Sequence, residues 1–321
     1  MIKVFPALFW FFLVLSFSAC TIEEARPSKK QEIVIASDCL ESKDVILFHS
    51  FEKSLGIQIE IRHFSSDSLK QLLVREGVET EIDVVILSSI YAMNQLDNSN
   101  LLQVIQSEKF PKKLAKNYRS KKSTWAGIGI DPYVIAVSKD STNKIKNYAD
   151  LLDESHTIDS LQNAAFYYPF YASILHKSGN KNRRNSVNWI KKMNQNSAEY
   201  ASMKDTVVSN SIYLTSYSEY HSKKNNDFKI IFPNQSNGGS YYNMACFGIV
   251  NQARNYENAL AFFDYILNES VNKRLNNRWK IFPILSSKKS SYPYQNNEFK
   301  KTNWSPIFLE HFYPRIRKIL K

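Results

Sequence analysis

The chain is 321 residues long, 43% hydrophobic and 13% aromatic, with a formal net charge of +12. That apolar content excludes intrinsic disorder, and the length suffices for two domains of ordinary size. The positive charge is scattered in pairs such as Lys112-Lys113, Arg183-Arg184 and Lys223-Lys224 with no DNA- or RNA-binding motif beside them, so a solvated basic surface is expected and a nucleic-acid partner is not.

Residues 1–19 read as an export signal: Lys3 precedes a short apolar run, below the ~20 apolar residues that a spanning helix needs. The run ends in Leu15-Ser16-Phe17-Ser18-Ala19-Cys20, which resembles the lipobox of bacterial lipoproteins. Cys20 is therefore the expected lipidation site and new N-terminus, with Phe17 standing where Leu is commoner. Residues 20–32 are polar and charged and predict a tether. Only Cys39 and Cys246 remain, too few for a disulfide scaffold or a structural zinc site. Two buried free thiols and one bridge are both open.

Glu32-Ile33-Val34-Ile35-Ala36 is a buried-strand run, followed by the polar turn Ser37-Asp38-Cys39. Over 44–55, Val45, Phe48, Phe51 and Leu55 share a helical face that Gly56 stops. Ile57, Ile59 and Ile61 alternate with polar residues as a half-buried strand. Asp67 is the expected cap of a helix carrying Leu69, Leu72 and Leu73, and 83–87 is another buried strand. This alternation predicts a parallel sheet covered by helices, with ligands at the loops after the strands' C-terminal ends. Those loops are Ser37-Asp38-Cys39, Ser65-Ser66-Asp67 and Ser88-Ser89.

The rhythm changes over 125–132 and resumes with a strand over 133–137. Helices over 170–176 and 187–193 follow, then strands over 230–232 and 245–250 around the turn Asn237-Gly238-Gly239, and a helix over 257–267.

In this order the segments resemble the iron(III)-binding branch of the periplasmic substrate-binding proteins of ABC transport systems. The resemblance is carried by Phe51-Glu52-Lys53-Ser54-Leu55-Gly56-Ile57, Ser66-Asp67-Ser68-Leu69 leading to Asp83-Val84, Leu101-Leu102-Gln103-Val104, Trp125-Ala126-Gly127-Ile128, Asn147-Tyr148-Ala149-Asp150-Leu151, Phe232-Pro233-Asn234-Gln235 and Asn255-Tyr256-Glu257-Asn258-Ala259. It implies an α/β protein of two lobes with mixed sheets flanked by helices and a ligand cleft between them. Residues 33–128 with about 245–285 form the first lobe, 129–244 the second, and 286–321 a helical tail packed on the lobes. It further implies a monomer that captures iron(III), or an iron complex, as cargo for an ABC permease and its ATPase, at the cell envelope and held to the membrane by lipid.

The ligand set departs from the family's. Tyr217 matches the first of its adjacent tyrosines, but Ser218 and Glu219 follow where further tyrosines belong. The anion-holding Arg-x-Arg falls at Asp131-Pro132-Tyr133, and an Arg-His pair falls at Asp38-Cys39. The candidate ligand residues are thus Tyr217 as the metal donor, with Ser216, Asp131, Tyr133, Asp38 and Tyr168. Tyr168, in Tyr167-Tyr168-Pro169, lies near another phenol donor of the family, with packing or a loop as its competing role. Asp131 also suits a cation or an amine, as in thiamine- or polyamine-type receptors, with a turn before Pro132 as its competing role. A third reading is an envelope interaction lipoprotein without transport.

Enzymatic alternatives lack their motifs. The six histidines form no His-Glu-x-x-His pair, no Gly-x-Ser-x-Gly elbow occurs, and no Walker loop is present. Gly127-Ile128-Gly129 lacks the third glycine of a dinucleotide fingerprint. No resident cofactor is expected.

Overall fold

The structure is a computed structural model that describes residues 31–141, 144–152, 164–179, 182–196, 212–223, 227–285, 291–294, 297–302 and 311–321. The signal, Cys20 and most of the tether lie outside the described residues.

The first elements in chain order are β1 (Glu32–Ser37), α1 (His49–Leu55), β2 (Gln58–His63), α2 (Ser66–Glu76), β3 (Val84–Leu87) and α3 (Ile90–Asp97). β1 lies between β2 and β3, parallel to both, as the apolar runs require. The helix expected over 44–55 is divided into a 3-10 stretch, Ser42–Phe48, and α1. Gly56 ends it at φ 68, a left-handed turn that glycine adopts without a Cβ clash. Ser65, not Asp67, caps α2: its hydroxyl accepts the Ser68 N–H, and it precedes the first helical residue as a cap must.

β4 (Leu102–Gln103) and α4 (Lys109–Lys113) lead to β5 (Trp125–Ser138). Then follow α5 (Ala164–Ser178), α6 (Arg183–Asn196), β6 (Ile212–Ser216), α7 (Tyr217–Ser222), β7 (Phe228–Ile231), β8 (Tyr242–Val250), α8 (Tyr256–Ile266), α9 (Glu269–Trp279) and β9 (Phe282–Pro283). A hairpin of β10 (Ser291–Tyr294) and β11 (Asn297–Lys300) precedes α10 (Tyr313–Ile319). The tail expected to be helical therefore contains a hairpin as well as a helix.

β5 joins the two halves. Its residues 125–132 pair antiparallel with β8, and 133–138 pair with β6 and β7. The strand expected over 133–137 is thus the second half of one 14-residue strand. Pro132, which has no N–H for a ladder, stands where pairing passes from β8 to β6.

The buried apolar side chains divide accordingly. One cluster holds Phe48, Phe51, Trp125, Phe247 and Phe262 around β1, β3 and β8. A second holds Tyr133, Tyr148, Phe170, Leu214 and Ile316 around the far half of β5. α5 also starts at Ala164 and takes in Tyr167-Tyr168-Pro169, which a loop reading had kept outside it. A proline inside a helix has no N–H for the carbonyl four residues back. Here that carbonyl, Ala165 O, accepts instead from the Ser89 hydroxyl at 2.7 Å and the Asn243 amide at 3.2 Å.

Candidate functional site

The three strand-end loops expected to meet do so, and Asp38 gathers them. Its carboxylate accepts from the Ser66 hydroxyl (2.6 Å), the Ser88 N–H (2.7 Å) and the Ser88 hydroxyl (3.1 Å). The turn that presents it is closed by Ser37, whose hydroxyl accepts the N–H groups of Cys39 and Leu40. Burial raises the Asp38 pKa, and the serine hydrogen bonds only partly oppose that.

Asp131 faces the same space from β5. It accepts from the Ser218 N–H at 3.0 Å and the Ser218 hydroxyl at 2.5 Å. Burial pushes it up to about 6 against the pull of those bonds. Both carboxylates line one cavity of about 610 Å3, with Ser88, Ser218, His221 and Lys280. A second cavity of about 620 Å3 shares Asp38 and Ser88 and continues past His63 and Lys70 to Tyr91. The two form a cleft running between the sheets, crossed at its floor by β5. Arg278, at its edge, is engaged by Asp44 at 2.8 Å.

The remaining candidates from sequence are placed unevenly. Ser216 accepts the Glu219 N–H as the cap of α7. Tyr217 opens that helix half-buried, its ring 4.3 Å from His221 and 4.9 Å from Phe282. Burial and then the nearby Asp131 raise its pKa. Tyr133 is fully buried and its hydroxyl donates to Phe166 O at 2.8 Å, a packing role that takes it out of the cleft. Tyr168 is buried and stacked 4.3 Å from Tyr91, so it serves the α3–α5 contact. Tyr241 and Tyr242 are buried as strand packing favours. Cys39 and Cys246 are free thiols, and burial raises both pKa values well above normal.

Sequence reasoning missed His221 and Ser218 as cleft-facing groups. The signal existed for His221, which lies four residues after Tyr217 and hence on the same helical face. Ser218 stands at the family's second tyrosine position, but its bond to Asp131 of a distant strand is not readable in sequence. Among the described residues no group of three or more His, Cys, Asp or Glu side chains is assembled to hold a metal ion. The cavity offers the carboxylates of Asp38, Asp131 and Glu219, serine hydroxyls and the His221 imidazole around open space, a donor set suited to a hard cation or a cationic group.

Two α/β halves joined by crossing strands, with polar residues converging on the cleft between them, define a hinged binding protein. The sequence model of the family described as bacterial extracellular solute-binding protein matches residues 79–307. The chain belongs to that family. It is 22% identical over 282 residues to iron uptake protein A1 of Synechocystis sp., covering 81% of this chain and 78% of the relative. Its fold resembles an iron- and citrate-bound protein of Trichodesmium, with a TM-score of 0.77 at 20% identity, covering 90% of this chain and 98% of the other. It also resembles a ferric binding protein from Campylobacter jejuni, with a TM-score of 0.75 at 21% identity and the same coverage of both chains. Both are two-lobed α/β structures, and the same architecture holds here. Among the described residues no helix is long and apolar enough to cross a membrane.

Proposed function

We propose that the protein is the solute-binding component of an ABC-type importer, capturing iron(III) or an iron complex between its lobes. The observation that carries this reading is the convergence of Asp38 and Asp131 on one cleft at the crossing strand, with Tyr217 beside Asp131. Oxygen donors of this kind suit a hard trivalent cation. The likeness to iron proteins from three organisms supports the same cargo. Residues 33–128 with about 245–285 form one lobe and 129–244 the other. The protein binds and releases its cargo without transforming it, and passes it to a permease whose partner ATPase supplies the energy. Cys20 carries the lipid that holds it at the extracytoplasmic face of the membrane.

In this reading the lobes close because the bound cation touches both, which makes the closed state the better binder. The phenol of Tyr217 enters as tyrosinate, and iron(III) supplies the charge that holds it deprotonated. The test is titration of the Cys20-truncated protein with ferric nitrilotriacetate. A visible tyrosinate-to-iron band is expected, and Tyr217→Phe abolishes it. No band at saturating iron rejects the iron reading.

A second cargo class is favoured by one observation. Asp131 and Ser218, bonded to each other, occupy the positions where the resemblance expects an arginine and a tyrosine. A half-buried carboxylate in place of a guanidinium suits an organic cation such as thiamine or a polyamine. Thermal-shift screening separates the two, because a ligand at about one hundred times its dissociation constant adds about 2.7 kcal/mol.

A further inference from the structure

The two lobes also meet at one edge of the cleft. Ser89 caps α3 on the first lobe, and its hydroxyl donates to Ala165 O of α5 on the second. Asn243, at the start of β8, donates to the same carbonyl and accepts the Ile90 N–H through its side-chain oxygen. That carbonyl is open to them because Pro169 has no N–H to claim it.

One helical turn further, the Tyr91 ring of α3 stacks on Tyr168 of α5, 4.3 Å apart and 6° from parallel. Tyr313 of α10 meets both rings edge-on, at 5.1 and 5.7 Å. Arg317, one turn along α10, lies near the hydroxyls of Tyr168 and Tyr91, which raise its pKa. Tyr91 thus joins the second lobe's apolar cluster although its own helix belongs to the first. Three elements from distant parts of the chain converge on one edge of the cleft.

We propose that this α3–α5–α10 contact is an interlobe clasp, in which Pro169, Tyr91 and Arg317 are positioning residues that fix the pivot for closure and so set ligand affinity. The inference rests on the solute-binding reading only for its consequence; the clasp itself is a property of the ligand-free protein. A pivot held at one edge narrows the range of lobe orientations. Loosening it spreads the population over states that cannot grip a ligand from both sides, and apparent affinity falls by the lost competent fraction.

Pro169→Ala is the sharpest variant. It returns an N–H to the helix, which competes with Ser89 and Asn243 for Ala165 O, while favouring helix formation and thus folding. Donor and acceptor dyes on non-natural residues at Val74 and Lys191, both exposed, report the interlobe distance by single-molecule energy transfer. Ferric nitrilotriacetate is the probe ligand. In Pro169→Ala, Tyr91→Leu and Arg317→Ala the ligand-free distance distribution is expected to broaden and the dissociation constant to rise about three- to tenfold. Lys318→Ala, on the same helix but away from Tyr91 and Tyr168, is expected to change neither. Unchanged ligand-free distributions in Pro169→Ala and Arg317→Ala overturn the clasp. If the unaltered protein fails to narrow its distribution with the probe or with any solute screened, the transport reading fails instead, and the ligand-free comparison still decides the clasp.

Discussion

Replacing Asp131 with Asn isolates the cost of keeping a carboxylate in the cleft. Burial lifts Asp131 from 3.8 to about 6, even though the Ser218 N–H and hydroxyl both donate to it. At about 1.4 kcal/mol per pH unit this is a preference of about 3 kcal/mol for the protonated form. The side chain is only partly enclosed, so solvent screening reduces the expected effect to about 1–2 kcal/mol. The folded state holds the proton more tightly than the unfolded chain. The stability that this proton contributes is therefore complete below pH 3.8 and is lost as pH rises through about 6.

Asn cannot ionise, yet its side-chain oxygen accepts the Ser218 N–H and its amide donates to the Ser218 hydroxyl. Urea unfolding measured from about pH 4 to pH 8 is expected to show Asp131→Asn more stable at neutral pH by about 1–2 kcal/mol. The gain should vanish toward the acid end. The same variant is expected to lose at least about 2 kcal/mol of affinity for a cationic cargo, because the charge that meets it is gone. A variant less stable at neutral pH, or one that follows the parent's pH slope, refutes the claim that burial dominates at Asp131.

Two further outcomes test the frame around the site. A Cβ at Gly129 meets Asn276 Oδ1 and lies 2.6 Å from Ile281 Cδ1, so Gly129→Ala should cost about 1–3 kcal/mol in urea unfolding; a neutral result removes the close approach of α9 to β5. Phe262 is buried with its ring edge-on to Phe48 at 5.0 Å and Phe51 at 5.2 Å. Phe262→Ala is expected to lose about 3–5 kcal/mol by the same assay, and a loss under about 1 kcal/mol contradicts its place at the centre of the first core.

The first half of the fold was legible because its signals are local. Ile57, Ile59 and Ile61 alternate with polar residues, and all three are buried, Ile59 and Ile61 within β2 and Ile57 just before it. The loops around Asp38, Ser66 and Ser88 followed from the general rule for parallel sheets, and they are bonded together. Local signals failed where long-range pairing decides. Trp125-Ala126-Gly127-Ile128 carries no clean period because the strand is buried on both faces and changes partners along its length. Tyr167-Tyr168-Pro169 reads as a helix breaker until Ser89 and Asn243 arrive from elsewhere in the chain to use the carbonyl that the proline leaves open. Tyr133 looked like a ligand because it falls at the second arginine of the family's Arg-x-Arg, but it opens the half of β5 that pairs with β6, and its ring is buried in the second core with its hydroxyl bonded to Phe166 O.

The departures at the ligand positions are coupled in space. Asp131 stands where the resemblance places an arginine, and Ser218 where it places a second tyrosine. Ser218 gives Asp131 two hydrogen bonds, one from its backbone and one from its hydroxyl. A tyrosine there would keep the first and lose the second, leaving a half-buried carboxylate less satisfied. An arginine opposite Ser218 would have no carboxylate to meet. The two residues therefore make sense as a pair, and the pair inverts the charge at the cleft floor. A guanidinium at that place favours a companion anion; the carboxylate repels one by the same electrostatics. Arg278 at the cleft edge is already occupied by Asp44, so it does little to reverse that balance. On the proposed reading, the Asp131–Ser218 contact therefore favours a cargo that brings positive charge to this part of the cleft, whether a metal ion or an organic cation.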